Sequence, residues 1–204
     1  MKSPLGKLLV LALFGIAMGL LEAITVVYIR EIVAYRIGAS YQPLTTVPFP
    51  VHLERIREGA TIVMLLAIGF VSGNNFRQRL AYFLYVFGIW DILYYIGLRI
   101  FLGWPVSIFS WDTLFYIPQP WRAPVLVPVI CSILLIFIAL AMVYRNGRCS
   151  LKMEFSKWAL VIIGLAIISF TFFEESTAYS WKLFGVGLAL LFFSEALFWK
   201  KTAV

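Results

Sequence analysis

Apolar residues in this chain do not alternate as they would along a half-buried strand. They run on, and the polar residues gather between the runs. Six such runs occur, at about 5–29, 60–76, 80–102, 124–144, 158–173 and 181–199. A helix needs about 20 mostly apolar residues to cross a hydrocarbon layer of ~30 Å, and four of the runs come close to or exceed that length. The second and fifth are shorter, so tilt, local thinning or polar ends must complete them. Backbone groups left unpaired in lipid are costly and no strand pattern is visible, so helices are the expected solution. The expected architecture is an all-α, polytopic membrane helix bundle of about six transmembrane helices, forming one domain over residues 1–204.

Composition agrees with that reading. Hydrophobic residues make up 62% of the 204 residues and charged residues 13%, with a mean hydropathy of +0.93. That is more apolar surface than a soluble domain of this size hides. The net charge of +7 would point to nucleic acid in a soluble protein. Here the Lys and Arg stand mainly between and at the ends of the runs, where they meet anionic headgroups, and no basic stretch is long enough to track a phosphate backbone. After Leu21 the first run continues through Glu22 to Ile29 without a small-residue cleavage site, as expected of a retained first span. Alternate loops carry ten and seven Lys or Arg, which places both termini in the cytoplasm. The two long loops on the other side, 30–59 and 103–123, are rich in Pro and aromatic residues and are expected to lie on or dip into the outer leaflet.

Acids inside such runs are expensive, by about 2.5–3.5 kcal/mol at the membrane centre, and must face the bundle interior. Asp91 sits in GIWDILYYIGLR, with Tyr95 and Arg99 following at four-residue steps on one helix face. Arg99 is placed to snorkel outward with Tyr95 bridging. The hexapeptide pattern WDILYY at 90–95 returns as WDTLFY at 111–116, setting Asp112 beside Trp111 as Asp91 is beside Trp90. Glu22 lies late in the first run and Glu58 opens the second after the charged run HLERIRE. These acids converge on the outer half of the membrane together with Arg30, Arg55, Arg57, Arg99 and Arg122. The candidate acid or base residues are therefore Glu22, Asp91 and Asp112. The candidate substrate contacts are Arg30, Glu58, Trp90, Tyr95, Arg99, Trp111 and Trp121. The competing reading is helix gluing, with Glu22 or Asp91 paired to Arg99 and nothing bound; Glu58 also suits a helix dipole.

With one His, a haem held by two histidines of this chain is excluded and copper or zinc sites built from several imidazoles are disfavoured; Cys131 and Cys149 lack metal-type or redox-type spacing, and no cofactor is required. A hard cation on Glu22, Glu58 and Asp91 is chemically conceivable, though no spacing demands it. Gly15 and Gly19 form a GxxxG, a close helix contact. No Walker loop, dinucleotide fingerprint or serine elbow is present.

Through EAITVVYIRE at 22–31, REGATIVMLL at 57–66, WDILYY at 90–95 and GWPVSIFSWDTLFYIPQPW at 103–121, the first two thirds of the chain resembles a group of small prokaryotic polytopic membrane proteins. The resemblance implies a multi-pass protein of the prokaryotic cytoplasmic membrane and no particular activity. Three functions are then open. The first is an accessory or assembly subunit of a larger membrane complex, docking other subunits in the lipid bilayer. The second is an outer-leaflet enzyme acting on a lipid or amphipathic substrate through carboxylate acid/base chemistry. The third is a small homodimeric carrier coupled to protons or cations.

Overall fold

A computed structural model describes residues 4–37, 51–144, 155–173 and 178–200, with side chains over 4–32, 51–144, 159–173 and 178–193. The described residues are all-α in character, 80% helical with six helices. They are α1 (Pro4–Ile37), α2 (Val51–Ser72), α3 (Phe76–Leu102), α4 (Leu126–Tyr144), α5 (Phe155–Thr171) and α6 (Trp181–Lys200). Between α3 and α4 lies a two-stranded hairpin, β1 (Trp111–Phe115) and β2 (Trp121–Pro124). Among the described residues three helical stretches are long and apolar enough to cross a membrane: Pro4–Ile32, Phe76–Leu102 and Leu126–Tyr144.

Three expectations require correction. The stretch 103–123 is not an irregular loop: β1 and β2 pair antiparallel, Trp111 opposite Pro124 and Phe115 opposite Trp121, with an irregularity between Thr113 and Phe115. Pairing satisfies backbone groups of a segment that packs against the bundle, the same requirement that favours helices elsewhere. The second helix begins at Val51, nine residues before the apolar run at 60, so Glu58 stands two turns inside it. The second helix also ends at Ser72 and the third begins at Phe76, because Asn75 caps α3 by accepting a hydrogen bond from the Gln78 N–H at 3.0 Å. The expected boundaries at 76 and 80 had read through that cap. Part of the stretch expected as the first outer loop, 38–50 with its Pro cluster, lies outside the described residues.

Helix α3 is the central element, packing on α1, α2 and α4, while α5 and α6 pair chiefly with each other. The α1–α3 contact is close because Gly15 and Gly19 face it. A Cβ on Gly19 would lie 2.6 Å from the Trp90 carbonyl oxygen, so the GxxxG brings the backbones together. One core cluster joins Leu8, Leu11 and Met18 of α1 to Leu65, Tyr82, Val86 and Trp90. A second gathers Val127 of α4 with Ile168, Phe172, Tyr179 and Phe184. Gly103 ends α3 with φ +66°, in the left-handed conformation glycine tolerates, and its N–H donates to the Arg99 carbonyl. That turn sends the chain back over the helix ends and positions the hairpin above α2 and α3.

Candidate functional site

Four polar positions of α2 share one face. Glu54, Arg57, Glu58 and Thr61 follow the i, i+3, i+4, i+7 spacing of a helical stripe. Glu54, Glu58 and Thr61 are buried, whereas Arg55 at the edge of the stripe is exposed. The stripe faces α1 and α3. Arg57 is the hub: it forms ion pairs with Glu22 of α1 and with Glu54 of its own helix, and its Nε donates to Glu54 Oε2 at 3.0 Å. The Thr61 hydroxyl donates to Glu22 Oε2 at 3.3 Å.

The other acids are held by neutral donors. Both carboxylate oxygens of Glu58 accept from the Tyr116 N–H, at 3.1 and 2.8 Å, while Arg55 Nε donates to the Tyr116 carbonyl at 3.0 Å. The strand-end residue Tyr116 is thereby clipped to α2 on both its backbone groups. Asp91 Oδ2 accepts from the Ser132 hydroxyl of α4 at 2.8 Å. Asp112 Oδ2 accepts from the Tyr95 hydroxyl at 3.0 Å.

Between these groups is a cavity of about 40 Å³. A water takes up roughly 10–15 Å³ of such space, so about three water-sized groups fit. Its walls include Glu22, Glu54, Glu58 and Asp91, with Arg57 as the one cation among the described residues; Thr61 adds a hydroxyl, and Trp90, Tyr94, Tyr95 and Phe115 add rings. The two WD elements meet here: the Trp90 and Phe115 rings lie 6.4 Å apart and Tyr95 reaches Asp112.

Of the residues singled out from sequence, Glu22, Glu58, Trp90, Asp91 and Tyr95 line the cavity and Asp112 is attached to it through Tyr95. Four others stand apart. Arg99 is exposed and donates to the carbonyls of Gly103 and Pro105. It pairs with neither Glu22 nor Asp91, and Tyr95 bonds Asp112 instead of bridging to it. The reversal at Gly103 supplies carbonyls closer at hand than a carboxylate two turns below. Arg30 stacks on the Trp104 ring, 4.9 Å from its centre. Trp111 is 42% exposed and meets Tyr179 edge-on. Trp121 stacks on Phe172 of the segment ending α5, with 5.4 Å between ring centres. Glu54 and Arg57 are the charged members that sequence reasoning left out of the candidate set, and Thr61, Tyr94 and Phe115 are further lining residues it did not name. The polar stripe at helical spacing was the signal that marks them.

Burial pushes the Asp112 carboxyl up to about 6, against the lowering effects of the Tyr95 hydroxyl and of Arg30. An acid with a pKa raised by folding binds its proton more readily in the folded state, so its contribution to stability falls as pH rises from about 4 to 6. Asp112→Asn, which resembles the protonated acid, should therefore gain stability relative to wild type as pH rises through that window. Unfolding midpoints in mild detergent at pH 4.5 and 7 measure this; a difference independent of pH would contradict the raised value. Among the described residues no group of three His, Cys, Asp or Glu side chains has the arrangement to hold a metal ion.

No protein-family model, curated protein or solved structure matches the chain.

Proposed function

We propose that this is a multi-pass protein of a prokaryotic cytoplasmic membrane, with six crossings and both termini in the cytoplasm. Its buried cavity receives the polar group of an amphipathic molecule from the outer leaflet. Three helical stretches already meet the length and apolarity of a span, and large apolar side chains such as Val63, Leu66, Phe70, Ile162 and Phe170 are exposed on the helix surfaces. In lipid that exposure carries no penalty. The observation that carries the functional reading is the division of partners around the cavity. Arg57 is engaged by Glu22 and Glu54, while Glu58 and Asp91 face the same space with neutral donors. Joining helices requires pairs of groups; it does not require a cavity between them. Asp91 and Glu58 stand where a proton can pass between a carboxyl and a bound polar group, the arrangement that general acid or base work needs.

A second reading has its own support. Glu22, Glu58, Asp91 and Asp112 each bond to a different element from their own, which suits a purely structural network in an accessory subunit.

Native mass spectrometry of the chain purified in mild detergent separates the two. The cavity reading expects a homogeneous chain retaining one amphipathic molecule, and Asp91→Asn should lose that molecule while melting close to wild type, since an amide oxygen still accepts from Ser132. A stoichiometric protein partner, kept equally by Asp91→Asn, would decide for the accessory subunit.

A further inference from the structure

The chemistry of the cavity restricts what enters it, and the following rests on the binding role proposed above. Four carboxylates and one guanidinium line the space among the described residues, and that guanidinium is already shared between two of the four. Glu58 and Asp91 accept from an N–H and a hydroxyl and form no ion pair among the described residues, although Arg57 and Arg55 stand near enough to Glu58 to act on its charge. Buried charge is costly unless it is paired, so the lining favours a cationic guest. A compact metal ion is poorly served, because no three acids have the arrangement to hold one among the described residues. A primary ammonium is better served. It needs two or three acceptors, and Trp90 and Tyr94, whose rings stack with 6.5 Å between centres, are among the residues that line the space.

A second observation points to the rest of the guest. Trp90 is 5% exposed, and its indole N–H is buried without an acceptor among the described residues. A buried donor left unmet is expensive, and a guest oxygen beside the ammonium would meet it. Space for about three water-sized groups is close to what the four non-hydrogen atoms of an amine, a two-carbon link and an oxygen need, because bonded atoms lie nearer to one another than waters in contact.

We infer that the cavity binds a primary amino-alcohol group of the ethanolamine type, its ammonium between Glu58 and Asp91 and its oxygen at the Trp90 N–H. Free ethanolamine carries that oxygen as a hydroxyl and the phosphatidylethanolamine headgroup carries it as a phosphoester oxygen, and either accepts from an N–H.

The full chain in phosphatidylglycerol nanodiscs doped with phosphatidylethanolamine, read by native mass spectrometry, tests this against lipid. Titration of the undoped discs with ethanolamine or ethylamine, read by thermal shift, tests it against the free amines. Enrichment of one phosphatidylethanolamine per chain, about tenfold over phosphatidylglycerol as one charge-assisted contact would give, supports the lipid as source. Stabilisation by ethanolamine with no lipid enrichment supports the free amino alcohol. In either case Trp90→Phe, which keeps a ring and removes the N–H, should weaken ethanolamine about tenfold and leave ethylamine unchanged. Equal weakening of both amines would overturn the assigned oxygen contact. Retention of phosphatidylglycerol in preference, lost in Asp91→Asn, would overturn the amine while leaving a headgroup site in place. No retained lipid and no response to either amine would remove both.

Discussion

Arg57→Met is expected to lower the stability of the folded chain by about 3 kcal/mol, the lower end of what breaking one side of a buried ion pair costs. Arg57 is one-fifth exposed at its side chain and pairs with Glu22 and Glu54, whose side chains are 12% and 10% exposed. Methionine fills much of the same volume, so the loss falls on the two carboxylates rather than on packing. Both would stand beside Glu58 and Asp91 with no guanidinium in the lining. Unfolding midpoints in mild detergent measure the effect. Adding Glu22→Gln and Glu54→Gln to the same chain should recover most of the loss, because the uncompensated charge is then gone. If the triple variant is no better than Arg57→Met, the guanidinium acts through shape and the electrostatic account fails.

Gly88→Ala should be nearly as damaging, by about 1–3 kcal/mol, although only a methyl is added. A Cβ there would lie 2.6 Å from the Ser132 carbonyl oxygen and 2.8 Å from Ile136 Cγ1. The first neighbour is backbone, so α4 as a whole must move away from α3. Ser132 also holds Asp91 through its side chain, and the displacement therefore reaches the cavity. Gly185→Ala on α6 is the control. Nothing stands within 4 Å of its added Cβ, and replacing a helix-interior glycine there should stabilise by roughly 0.5–1 kcal/mol. Equal melting of the two variants would show that the α3–α4 contact yields more easily than its geometry indicates.

The parts of this arrangement that sequence made legible are those governed by the cost of charge in an apolar run. Glu22 and Asp91 had to turn inward, and the spacing of Asp91 and Tyr95 put them on one face. Arg57 was legible as a cation at the correct end of the bundle, but its partners were not. Whether a residue in HLERIRE faces the interior depends on how α2 is rotated against α1 and α3, which follows from packing across 30 or more residues of sequence separation. The hairpin was hidden for a different reason. Its strands are five and four residues long and rich in aromatic residues and Pro, so alternation is too short to stand out from an interfacial loop. Arg99 shows the opposite failure: its helical spacing to Asp91 and Tyr95 was read as a chain of contacts, while the reversal at Gly103 captured it locally.

The hairpin that roofs the cavity is also where the second helical pair is fastened. The Arg122 N–H donates to the Phe172 carbonyl at 2.9 Å, and Trp121 lies between Phe115 on one side and Phe172 and Phe173 on the other. Phe115 in turn touches Trp90. A displacement of the segment that follows α5 is therefore felt at the roof of the acid-lined space, through Trp121 and the Arg122–Phe172 hydrogen bond together.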